Sequence, residues 1–76
     1  MYTVKILNAL TGYFIKDDNR YETHFFLTET ATDRGVRFEL QRCTKDCFQE
    51  GLQSIGDTVV LYYDKYGRIT SLHDDC

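Results

Sequence analysis

Proline and tryptophan are absent from this chain, cysteine occurs three times and glycine five times. Each shortage excludes something. Without proline there is no rigid breakpoint, and no linker, repeat or low-complexity tract divides the 76 residues. No apolar run approaches the roughly 18 residues that span a bilayer. The opening MYTVKILNAL has neither the apolar stretch nor the small-residue cleavage pattern of a signal peptide, so a cytoplasmic protein with no membrane partner is expected. Cys43, Cys47 and Cys76 are an odd number and too few to staple a secreted mini-protein, which points to free thiols in a reducing compartment. A glycine-rich phosphate loop, a paired-carboxylate site and a dinucleotide fingerprint are also missing. The net charge of -3 argues against a strongly basic nucleic-acid clamp. Asp74 and Asp75, however, stand in a terminal segment that need not face a ligand.

What is present is apolar and aromatic residues, at 42% and 14%. The aromatics are all Tyr and Phe, which favour strands. A chain this short buries only about 60% of its unfolded surface, and its total stability is expected at roughly 4 to 11 kcal/mol. Burial by self-association is a large fraction of that, so a homodimer is a live expectation.

Tyr2 to Leu10 alternates Tyr2, Val4 and Ile6 against Thr3 and Lys5, which reads as a strand. Gly12 suggests a bulge or sharp bend before Tyr13, Phe14 and Ile15. Lys16-Asp17-Asp18-Asn19 is a polar turn. In the strand from Arg20 to Glu29, Tyr21, Thr23, Phe25 and Leu27 share one face. Arg20, Glu22, His24, Phe26 and Thr28 share the other, where Phe26 is the odd member. After a loop ending in Asp33-Arg34-Gly35, Val36, Phe38 and Leu40 are expected inward, with Arg37, Glu39 and Gln41 outward.

The period then changes. Phe48, Leu52 and Ile55, with Thr44 as N-cap and Gly56 as stop, predict a helix of about three turns. Gly51 inside it costs about 1 kcal/mol relative to Ala, so packing must hold this helix. Val59, Leu61 and Tyr63 restore period two, with Thr58, Val60 and Tyr62 on a face that is also largely apolar. Asp64-Lys65-Tyr66-Gly67 reads as a type I turn with a G1 bulge, and the last strand is Arg68 to Leu72. The expected organisation is one β-rich domain over residues 1–72 and a flexible tail over 73–76.

Strand, strand, strand, helix, strand, strand is the order of the OB-fold, a five-stranded Greek-key barrel with one helix. Over most of its length the chain resembles small OB-fold proteins such as the single-stranded-DNA-binding proteins of filamentous phages. The resemblance lies in element order, in the Gly12-containing segment from Leu10 to Tyr21, and in Ile55-Gly56-Asp57-Thr58-Val59-Val60 leading to the hairpin at Tyr66-Gly67. An open α+β sheet with a helix across one face uses the same elements and is the alternative.

The OB resemblance implies ligand contact through the second and third strands and through two loops. Those loops hold Tyr13, Phe14, Lys16 and Arg20, then Lys65, Tyr66 and Arg68, and Arg37 on the third strand extends the track. Stacking rings beside cations suit single-stranded nucleic acid or a nucleotide. The same residues also suit a plain structural part, with Tyr13 and Phe14 covering the core edge and Lys65 and Tyr66 at a solvated hairpin tip. Asp17, Asp18, Glu22 and Asp64 stand beside the cations and oppose phosphate. A protein partner is therefore an equal expectation: an interaction module or inhibitor of the kind encoded by a phage or mobile element, acting through a strand edge or a Phe26 and Tyr62 surface.

Cys43, Cys47, His73 and Cys76 are the only set with zinc-ligand chemistry, at imperfect spacing. A Cys and His pair with Cys47 near the helix N-terminus, where the dipole lowers a thiol pKa, raises nucleophilic catalysis, and no family signature accompanies it. No metal, cofactor or catalytic residue is assigned.

Overall fold

Three hairpins close on themselves in the computed structural model, which describes residues 2–75, with Tyr2 by its backbone only. The elements are β1 (Tyr2–Lys16), β2 (Asn19–Thr32), β3 (Gly35–Cys43), α1 (Lys45–Gly51), β4 (Thr58–Tyr63) and β5 (Ile69–Asp74). Around the barrel they run β1-β2-β3-β5-β4 and back to β1. Every pairing is antiparallel except β3 with β5, which meet in parallel at Cys43↔Ile69. This is the OB-like Greek-key barrel. The ladder from Tyr2↔Leu61 to Lys5↔Thr58 closes it and excludes the open sheet.

Local chemistry explains the turns. Asp17 and Asp18 both take positive φ, 52° and 62°, as a two-residue type I′ hairpin requires. Asn19 Nδ2 donates to the Asp17 carbonyl at 3.2 Å. In the β4–β5 turn Asp64 Oδ1 accepts from the N–H groups of Tyr66 and Arg68, both at 2.9 Å, and Gly67 sits at φ 81°.

The register irregularity in β1 lies at Leu7, between Ile6 and Asn8, and not at Gly12. One extra residue switches the inward parity: Val4 and Ile6 are buried before it, and Ala9 packs on the core after it while Leu10 faces out. The chain after α1 uses this site, because Gly56 N–H donates to Ile6 O at 2.7 Å and Ile6 N–H donates to Asp57 O at 3.0 Å.

β2 and β3 present the opposite faces from those their apolar alternation suggests. Phe26 and Thr28 are fully buried and His24 nearly so, whereas Val36, Phe38 and Leu40 are 55%, 56% and 55% exposed. The register Phe26↔Gln41 and Thr28↔Glu39 puts Arg37, Glu39 and Gln41 on the face that turns toward the barrel. Polar groups there satisfy one another. Tyr63 O–H donates to Gln41 Oε1, Gln41 Nε2 to Thr28 Oγ1 at 2.8 Å, and Thr28 Oγ1 to the Glu39 carbonyl at 3.3 Å.

Thr44 caps α1 as expected, its Oγ1 accepting from Cys47 N–H at 3.3 Å. The helix is seven residues, not three turns, and Leu52 and Ile55 are exposed. Its buried residues are Cys47, Phe48 and Gly51. Phe26 lies against it, 6.2 Å from the Phe48 ring. β5 extends past Leu72: His73 and Asp74 pair with Val60 and Val59, and Asp75 N–H donates to Thr58 O at 3.2 Å, so the expected tail is strand through Asp74. Cys76 lies outside the described residues.

Burial pushes the Cys43 thiol up to about 12, with the neighbouring Cys47 adding to it. Burial pushes Cys47 to about 11, with Glu50 adding. Both folded values exceed the ordinary 9.0, so this contribution to stability is complete below pH 9 and is lost as pH rises toward 11 and 12. At pH 8 iodoacetamide should modify both thiols on the order of a hundredfold more slowly in the native chain than in urea, measured by mass spectrometry, because the thiolate is the nucleophile.

Candidate nucleic-acid interface

β3 leaves β2 at His24↔Cys43, but β1 and β2 continue together to Lys16↔Asn19. Residues 12–23 therefore form a two-stranded ribbon that runs beyond the end of β3, in a molecule of 44 by 25 by 23 Å. Strand alternation divides the ribbon. One face carries Phe14 and Tyr21, stacked at 5.4 Å. The other carries Tyr13, Ile15, Arg20 and Glu22, with the Arg20 guanidinium 4.2 Å above the Tyr13 ring.

At the β4–β5 turn Tyr66 is 70% exposed, and Lys65 and Arg68 lie 5.2 and 5.7 Å from its ring centre. Arg68 Nε donates to Asp64 Oδ2 at 2.9 Å. Burial alone raises the Asp64 carboxyl, but the N–H and guanidinium of Arg68 and the N–H of Tyr66 outweigh it and hold the group below the ordinary carboxylate range. Asp64 is thus an internal counter-ion that fixes Arg68 in place.

An open groove of about 370 Å³ joins the two loops, with Glu22, His24, Arg42, Lys45 and Arg68 on its walls. A hollow of about 260 Å³ against Tyr13, Arg20 and Glu22 continues it along the ribbon, through the shared Glu22. Of the expected contact residues, Arg68 lines the groove, Tyr13 and Arg20 line the hollow, and Lys65 and Tyr66 stand beside Arg68 at the β4–β5 turn without lining either. Lys16 sits at the ribbon tip beside the Asp17-Asp18 turn. Arg37 lies toward the other end of β3, opposite Thr30, on the inward-turning face and not the outer one; its Nε is 3.0 Å from Glu39 Oε1.

Arg42 and Lys45 are the groove residues that the sequence reading missed. Neither forms an ion pair with a described carboxylate. They flank Cys43-Thr44, where the third strand passes into the helix, and the OB order of elements was the signal that could have found them. His24 also stands on the groove wall. It is buried, with its ring 4.6 Å from Phe48, its Nε2 3.9 Å from Glu22 Oε2, and its Nδ1 without a hydrogen-bond partner.

Acidic groups gather elsewhere. A depression of about 670 Å³ lies between α1 and β5 and is lined by Glu50, Asp57 and Asp74 beside His73. A phosphate is repelled there, while Arg20, Arg42, Lys45 and Arg68 outnumber Glu22 and Asp64 at the groove. The Phe26 and Tyr62 surface does not exist, because Phe26 is in the core. Cys43 and Cys47 are core thiols, whereas His73 packs edge-on against Tyr62 at 5.1 Å. Among the described residues no three Cys, His, Asp or Glu side chains gather as a metal site.

No helix among the described residues is long and apolar enough to cross a membrane. Compared with known protein families, characterised proteins and solved structures, the chain matches none.

Proposed function

We propose that this OB-like barrel is a non-catalytic module that binds single-stranded nucleic acid or a nucleotide in the groove between the β1–β2 ribbon and the β4–β5 turn. What supports the reading is a groove that Arg68 lines together with Arg42 and Lys45, with exposed ring-and-cation pairs on the flanking elements, Tyr13 with Arg20 on the ribbon and Tyr66 with Arg68 at the β4–β5 turn. Bases stack on rings without regard to sequence, and cations hold the phosphates between them. The resemblance to the single-stranded-DNA-binding proteins of filamentous phages implies the same ligand class. The buried, protonated state of Cys43 and Cys47 supports binding rather than nucleophilic chemistry.

Fluorescence titration of a labelled single-stranded oligonucleotide at several salt concentrations tests this. Contacts from Arg20, Arg42, Lys45 and Arg68 predict a slope of log K on log salt of about -2 to -3, at about -0.7 per phosphate neutralised. Absence of binding at low salt rejects the reading. The row Val36, Phe38 and Leu40, exposed on the outside of β3, favours a second reading in which the chain engages a protein.

A further inference from the structure

β3 pairs with β2 along its whole length, from Thr32↔Gly35 to His24↔Cys43, without a register shift. Its other side meets β5 at one described position, Cys43↔Ile69. From residue 35 to residue 42 that edge has no partner strand among the described residues. Proteins blunt such edges with charged side chains, lysine above all, and with proline, a bulge or a very short strand; the charges on this one, Arg37 and Glu39, are of opposite sign and complement a second copy. Residues 35–41 contain no lysine and no proline, the ladder has no bulge, and the strand is nine residues long. The outward row Val36, Phe38 and Leu40 lies along this same strand, uncovered.

We propose that this edge pairs antiparallel with the same edge of a second copy of the chain, about a two-fold axis passing through Phe38. The proposal goes beyond the nucleic-acid reading and narrows the protein-partner reading to one partner, on which it rests.

Symmetry and side-chain chemistry select the register. Directly opposite residues in an antiparallel pair share a face, so an axis between two residues sets the apolar row of one copy against the polar row of the other. The axis must therefore pass through a residue. At Arg37 or Glu39 it brings two like charges together. At Val36 it opposes Arg34 to Phe38, and at Leu40 it opposes Phe38 to Arg42. At Phe38 every pair within residues 35–41 agrees, and the one like-charge pair, Arg34 with Arg42, falls beyond the ends of that segment. Val36 lies beside Leu40 of the other copy, Phe38 beside Phe38, and Arg37 beside Glu39 in both directions. A surface complementary to itself is what an isologous dimer needs. The paired segment is about 23 Å long at about 3.3 Å per residue, which places the interface at the small end of the size scale and its dissociation constant on the order of micromolar.

Sedimentation velocity from low to high micromolar concentration tests the dimer, and charge exchange tests its register. Arg37→Glu and Glu39→Arg each set like charges opposite one another and should weaken dimerisation on the order of tenfold or more. The double exchange Arg37→Glu/Glu39→Arg should restore it. Mixing the two single variants should give a heterodimer tighter than either homodimer, since opposite charges then face each other again. The two side chains are 56% and 41% exposed and pair with each other within one copy, so circular dichroism checks that each variant is folded. Phe38→Lys, which sets two like charges on the axis, supplies a second disruption. A parent chain that stays monomeric throughout overturns the proposal. So does a dimer indifferent to the charge exchanges. A monomer that nevertheless captures a different protein through Phe38 overturns self-association while leaving the broader protein-partner reading standing.

Discussion

Gly51→Ala is expected to destabilise the chain by about 3 kcal/mol, the upper part of the usual range for overpacking, as read from the urea midpoint. An isolated helix shows the opposite sign, because alanine gains about 1 kcal/mol over glycine there. Packing reverses it: an added Cβ lies 2.1 Å from Phe26 Cζ and 2.4 Å from Cε1. Phe26 is fully buried and stacked with Phe48, so its ring cannot swing into solvent to relieve the overlap. Against a total of roughly 4 to 11 kcal/mol, the loss is a large share of what holds the barrel. Pairing Gly51→Ala with Phe26→Leu should cost less than the sum of the two single changes, since the smaller side chain vacates the contested space. A stabilised Gly51→Ala chain means that Phe26 does not sit on the helix.

Removing both stacking rings of the groove, Tyr13→Ala with Tyr66→Ala, should weaken binding of a single-stranded oligonucleotide on the order of a hundredfold or more, because each base stacked on a ring contributes about 1 to 3 kcal/mol. The rings stand on different loops without a shared partner, so their effects should add. Both are mostly exposed, and thermal stability should barely change. Arg42→Ala should lower affinity and make the salt slope shallower by about 0.7, the contribution of one phosphate contact. His73→Ala, on the acidic flank, should leave binding unchanged. If the double tyrosine variant binds like the parent, the ligand lies elsewhere, and the outer face of β2 and β3 is the next surface to test.

The ring-and-cation pairs were legible because such residues around a turn advertise themselves: Tyr13 and Arg20 beside one, Lys65, Tyr66 and Arg68 in the other. Arg42 and Lys45 were not, since a strand-to-helix junction has no such signature and its place at the groove depends on β3 meeting β5 at Cys43↔Ile69. Arg37 was assigned to the track by strand membership alone. The ladder carries it instead to the end of β3 away from the groove.

By itself the sequence determined what depends on neighbours along the chain. Aspartates at 17 and 18 tolerate a turn with positive φ, Thr44 reaches the N–H three residues on, Asp64 closes its own turn, and period-two alternation marks strands in the order of an OB barrel. Only the tertiary structure decided which side of β2 and β3 faces the core. Both faces carry apolar groups, so a shift of one residue in register exchanges them, and alternation alone has two solutions. The large Phe26 ring against Gly51, together with the matched hydrogen bonds of Thr28, Gln41 and Tyr63, selects one. That choice sends outward the row Val36, Phe38 and Leu40, which local alternation had placed inside, and shortens the helix to the turns that cover Phe26.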